Sequence, residues 1–316
     1  MGILVAIVDM LEWRSDVDTG RIGLEHAYFS LVLMTTLIQG AVGSLCFALV
    51  FRALQPQLLL TLLAITALAL ICSVFHLGRP ASAWRALKMW RRSWLSREVH
   101  LFGLFFAALI CLTAGACAAA LPPSWLLHLH GSAIAPFQHA TFWALAMMAF
   151  GILTAIVGVA GIIASAFIYL VPARPSWNML HTIIDFLLSA ALIGTILPAL
   201  LGARAHAFVS GGLTFEVCLV TALLWIANQC LRWIRLHRSN IFEHRASAAL
   251  LNLPGQRTAL IASLLLAAAA PLLDRAGSPA FACVAAFGAV LLSRSLFFVT
   301  VVPLSMALTF TRGGAH

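Results

Sequence analysis

The sequence predicts an all-α integral membrane protein, an eight-transmembrane-helix bundle with both termini cytoplasmic. Three observations carry this reading. First, 62% of the 316 residues are hydrophobic and only 9% are charged, and a mean hydropathy of +1.02 exceeds what a soluble domain can bury. Second, the apolar runs are about 20 residues or longer, the length that spans a bilayer as a helix, and lack the alternating ten-residue segments of a barrel. Third, Lys and Arg gather on alternate connections, as the positive-inside rule requires.

Residues 1–26 read as an interfacial segment: Leu4, Ile7 and Leu11 fall at helical spacing, and no basic leader with a small-residue cleavage site precedes them. Residues 27–308 form the membrane domain, with spans expected at 27–54, 57–77, 98–121, 139–171, 181–201, 212–233, 258–273 and 279–308. The fourth and eighth are long enough to tilt or project. The seventh is short and runs into Pro271. Gly151/Ala155 and Gly161/Ser165 offer small-residue spacing for close helix approach. Residues 309–316 form a short tail.

Connections on the face that holds the N-terminus, the N face, carry fifteen of the nineteen Lys and Arg residues. Arg52, Arg204 and Arg275 lie on the far face, and Arg294 lies inside a span. The net charge of +9 is therefore an orientation signal that places the N face in the cytoplasm of a cell inner membrane, and it does not point to nucleic acid. A basic docking surface for an acidic partner subunit is a second source of the same asymmetry. The seven Cys residues lie in apolar runs without any C-x-x-C pair, so they read as small core residues with no metal or cluster site.

Residues 73–100 depart from this background, carrying six Lys or Arg, His76, His100, three Trp and Glu98 between two apolar runs. Trp84, Trp90 and Trp94 suit the headgroup zone. The connection returns His76 and Glu98 to one membrane face, where imidazole and a partly desolvated carboxyl can relay protons. That chemistry fits a quinone, an apolar carrier of two electrons and two protons. His181, Asp185 and Arg79 stand on the same face. Arg294, in VLLSRSLFF near the middle of the eighth span, costs about 2.5–3.5 kcal/mol at a helix centre unless it is paired. Asp185 is its nearest acid by depth, although Arg294 has to reach toward it. The pair reads equally as a quinone-oxygen contact or a structural ion pair. Arg174 and Trp177, in the Pro-stiffened VPARPSWN turn, join Arg85, Lys88, Arg91 and Arg92 as candidate docking residues. A di-haem cytochrome b needs matched His pairs on both faces. A secondary transporter predicts internal repeats and broken helices, and the sequence shows neither clearly.

HLGRP followed by SWLSRE, with VPARPSWN, SRSLFF and GLEHAYFSLVLMTTLIQG, resembles the membrane anchor subunit of the dimethyl sulfoxide reductase family. The likeness runs over nearly the whole chain from about Gly23. It implies an eight-helix subunit that is not catalytic by itself and has no covalently bound cofactor. Such a subunit anchors a four-cluster iron–sulfur subunit and a molybdopterin catalytic subunit, and exchanges electrons with menaquinone or ubiquinone. His76 and Glu98 match the family's quinone-site positions, and Ser293-Arg294 matches its Gly-Arg. Val290 and Phe298 depart from an acid and a Tyr often found there. The basic motif face favours a cytoplasmic partner, as in the sulfite-oxidising branch, over S-oxide reduction by quinol.

Overall fold

The computed structural model describes residues 29–75, 88–120, 140–201 and 211–304. The interfacial segment, the tail, His76, Arg79, Arg85 and the loop histidines His128, His130 and His206 lie outside the described residues.

Among the described residues the chain forms nine helices: α1 Phe29–Val50, α2 Pro56–Phe75, α3 Trp94–Ala120, α4 Ala140–Tyr169, α5 Leu180–Leu200, α6 Gly211–Arg238, α7 Phe242–Leu251, α8 Pro254–Arg275 and α9 Pro279–Val299. All except the short α7 are long and apolar enough to cross a membrane, as composition predicts. Three of them form the middle of the bundle. The most apolar windows of α1, α5 and α9 are 72%, 61% and 61% buried, against 28–33% for the other five. The outer five present their remaining faces to lipid, so apolar side chains such as Leu104, Leu145 and Leu265 are exposed on the isolated chain without penalty.

The centre is tight because α1 and α5 cross at glycine. A Cβ on Gly43 meets the Ala190 carbonyl oxygen at 1.8 Å, and one on Gly194 meets the Gly43 carbonyl carbon at 2.3 Å. Backbones in such contact gain dispersion and dipole interactions that larger residues prevent. The expected small-residue stretch on α4 also serves packing: Gly161 sits against Phe102, Gly158 against Phe105 and Val42, and Gly151 against Leu49.

Two elements differ from the sequence expectation. The seventh span is not short; α8 runs for 22 residues straight through Pro271, since neighbouring helices in a bundle tolerate a missing backbone donor. The eighth span ends earlier, at Val299. Thr300-Val301-Val302-Pro303 follows, and β-branched residues before proline resist helix. The chain then turns so that the Leu304 amide donates to the Ala173 carbonyl oxygen at 2.9 Å. Arg294 consequently sits five residues from the N-face end of its helix and not at mid-membrane.

The cysteines divide. Cys218 and Cys283 are buried, Cys46, Cys72 and Cys117 are half-buried, and Cys111 and Cys230 are exposed on outer helices. The last two are not core residues as expected: a thiol is apolar enough to face lipid. All seven are free.

Candidate functional site

The site begins with a turn. Residues 170–179 link α4 to α5 at the N face and are tied at several points. The Trp177 indole Nε1 donates to the Phe297 carbonyl oxygen at 2.8 Å, and its ring stacks on Phe297 at 5.1 Å between centroids. The Thr182 hydroxyl donates back to the Trp177 carbonyl at 2.6 Å. These bonds fix the start of α5 against the end of α9. Asp185 and Arg294 thereby stand at the same depth, and the long reach expected of Arg294 is unnecessary. Trp177 is buried within the bundle at 6% exposure, a placement that removes it from the docking surface expected of it.

Arg294 Nη1 lies 3.2 Å from Asp185 Oδ2, and both side chains are buried. Its Nη2 donates to Gln39 Oε1 on α1 at 3.1 Å. The guanidinium lies over the Phe186 ring at 3.8 Å, an arrangement that suits a delocalised cation away from water. Asp185 Oδ1 accepts from Gln229 Nε2 on α6 at 2.5 Å. Four helices, α1, α5, α6 and α9, thus meet at one charged pair. Removing either partner leaves an unpaired buried charge, which costs about 3–5 kcal/mol.

Asp185 is the middle rung of a ladder between antiparallel helices. His181, Asp185 and Ser189 recur every four residues on one face of α5. Asn228 Oδ1 stands 2.9 Å from His181 Nδ1, and its amide donates to the His181 carbonyl oxygen at 3.2 Å. Gln229 holds Asp185, and Trp225 Nε1 donates to Ser189 Oγ at 3.1 Å. His181 is therefore engaged by α6.

Glu98 occupies the first turns of α3 and is 4% exposed, more fully buried than the partly desolvated carboxyl expected there. The Ser165 side chain on α4 lies against it. Tyr169, one turn further along α4, is within electrostatic reach of both Glu98 and Arg294. Its ring fills the space among Trp177, Phe186, Phe297 and Phe298 at 5.3–5.6 Å between centroids. A carboxyl, a phenol and an ion pair therefore share one aromatic-lined region on the N-face half of the bundle.

The basic candidates lie at the surface above it. Arg91 and Arg92 are exposed and Arg174 is half-exposed. Arg91 packs near the Trp90 ring at 5.5 Å, and Arg174 lies over Trp177 at 4.3 Å. Lys88 is exposed in a short helical turn. Trp90 and Trp94 are 55% and 39% exposed, in keeping with a headgroup-level position. Trp94 also stacks on Phe167 at 4.4 Å. Among the described residues no cluster of three metal-ligating side chains occurs.

Gln39, Gln229, Asn228 and Tyr169 belong to this region and are not singled out by sequence reasoning, and Ser165 is read there only as a small packing residue. Each is a polar group in an otherwise apolar span, and the four-residue period of His181, Asp185 and Ser189 is legible as a polar stripe.

Residues 23–129 match the family model of the DMSO reductase anchor subunit (DmsC). The likeness to that family lies within this segment. A sulfite dehydrogenase subunit from Allochromatium vinosum is 40% identical over 96 residues. That match covers 26% of this chain and 29% of the relative, so the chain spans less than a third of the curated relative it matches. The DmsC segment contains Gln39 and Glu98 among the described site residues, together with His76 and Arg79. Asp185, Gln229 and Arg294 lie beyond it, so the segment covered is narrower than the resemblance of the motifs suggests.

Proposed function

We propose that this protein is the membrane anchor of a molybdopterin and iron–sulfur oxidoreductase, and that it exchanges electrons with quinone at its N face. One observation carries the reading: a buried carboxyl, Glu98, stands at the N-face end of a lipid-facing helix, inside the DmsC segment. The name of the relative, a sulfite dehydrogenase subunit, supports sulfite oxidation to quinone over S-oxide reduction by quinol.

In this reading the quinone ring rests near Glu98 and His76. Reduction needs two electrons, which a partner subunit's cluster would supply one at a time, and two protons from the protein. Glu98 and His76 each supply one proton and regain it from the cytoplasm. Tyr169 and Ser165 position the Glu98 carboxyl. Arg294 and Asp185, bound to each other and to two glutamines, hold the helices in register and set the local potential without touching the ring. Lys88, Arg91, Arg92 and Arg174, with Arg85, offer a cationic surface to the iron–sulfur subunit. In this orientation both termini and the partners are cytoplasmic.

The test is electron flow in the assembled complex. Glu98→Gln keeps the shape of the side chain and removes its proton. It should lower quinone-linked turnover by at least about 100-fold, the scale of a lost proton-transfer group, while dye-linked activity of the catalytic subunit stays intact. Full quinone activity in this variant overturns the assignment.

A further inference from the structure

A second feature lies away from the Glu98 region, on the outer surface between α6 and α8. A cleft of about 720 Å³ opens there, within the range of about 300–1,000 Å³ usual for ligand sites. Its walls are apolar, formed by Cys230, Ile234, Leu260, Ile261 and Leu264, and its rim carries Trp233, Asn252 and Arg257. From Arg257 to Leu264 is about two turns of helix, roughly 10 Å at 1.5 Å per residue. The cleft therefore runs from the N-face boundary a third of the way into a hydrocarbon core about 30 Å thick.

The rim charge is one-sided. Arg257 is exposed at the rim, and among the described residues it is in no ion pair. Glu243, the acid of the connecting helix α7, is buried at 1% exposure and presents no counter-charge at the surface. Asn252 is held by an Nδ2 to His237 Nε2 contact at 2.8 Å, and His237 packs on Trp233 at 4.0 Å. The rim is thus organised by Trp233, His237 and Asn252, and Arg257 beside them is left to meet a ligand. A neutral quinone fits less well, because it leaves the Arg257 charge at the rim without an anion to meet.

We propose that this cleft binds one anionic phospholipid, with its phosphate against Arg257 and Asn252 and an acyl chain along the α6–α8 groove. The site is distinct from the quinone region and does not depend on that assignment.

Native mass spectrometry of the full chain in mild detergent tests it, with phosphatidylglycerol and phosphatidylcholine offered at equal concentration. One phosphatidylglycerol should be retained about fivefold over phosphatidylcholine, the fold-change that one interfacial cation supplies. Arg257→Ala should bring the two to parity. Leu264→Trp, which plugs the groove and leaves the charges untouched, should abolish retention of both, while inorganic phosphate should not displace the bound lipid. Equal retention of the two lipids by the unaltered protein, unchanged selectivity in Arg257→Ala, or displacement of the lipid by a short-chain quinone overturns the proposal.

Discussion

At the scale of single residues, the molecule turns on how it accommodates charge in an apolar interior. Arg294 is tolerated because four partners surround it: Asp185, Gln39, Phe186 and, through Asp185, Gln229. Asp185→Asn removes the countercharge and leaves the guanidinium buried, so it should destabilise the bundle by about 3–5 kcal/mol. Replacing both partners, Asp185→Leu with Arg294→Met, should recover most of that loss. Thermal unfolding of these variants in detergent checks the pattern, and a double variant as unstable as the single one contradicts it. The sequence makes this pair legible through cost alone, because an Arg in a span demands a partner and Asp185 is the acid at comparable depth. Its supporting glutamines are less legible. Nothing in a single amide says which neighbouring helix it will face, and that depends on rotations set by packing elsewhere.

At the scale of elements, the α5–α6 ladder and the α1–α5 crossing have different energetics. Each interhelical hydrogen bond of the ladder is worth about 0.6 kcal/mol, the mean for membrane bundles, so Ser189→Ala, which frees Trp225 Nε1, should cost no more than about 1 kcal/mol. Gly194→Leu should cost far more, because its side chain meets the Gly43 backbone and neither helix can yield without losing its neighbours. Overpacking of this kind usually costs about 1–3 kcal/mol, and a backbone obstacle puts it at or above the upper end. Urea or heat titration of the two variants should rank them in that order; a larger loss in Ser189→Ala contradicts the account. Most of the helices are readable from length and hydropathy. The end of α9 is not, since Thr300 to Val302 is as apolar as the helix before it, and only the Pro303 restriction and the Leu304–Ala173 bond mark the stop. That one boundary moves Arg294 from mid-membrane to the depth of Asp185. In the same way, Trp177 reads as an exposed aromatic in a Pro-rich turn, whereas its indole is drawn inward by the Phe297 carbonyl.

At the scale of the whole molecule, one face of the bundle is basic and has the buried polar groups beneath it. The central helices α1, α5 and α9 supply the ion pair, while α3 and α4 bring Glu98, Ser165 and Tyr169 beside it. This division suits the proposed anchor: a well-packed middle with Glu98 toward the lipid-facing side. The two-sided charge distribution predicts that a cytoplasm-active reporter fused after His316 is functional and that a far-face reporter fused there is not; the reverse outcome places the N face outside. The most direct measurement of the central claim is labelling of the assembled complex with a photoreactive azidoquinone, followed by peptide mapping. The account predicts label concentrated between Ser73 and Phe105, lost on competition with unlabelled quinone and reduced in Glu98→Gln. Label confined to α6 and α8, or spread evenly over all lipid-facing helices, would contradict it.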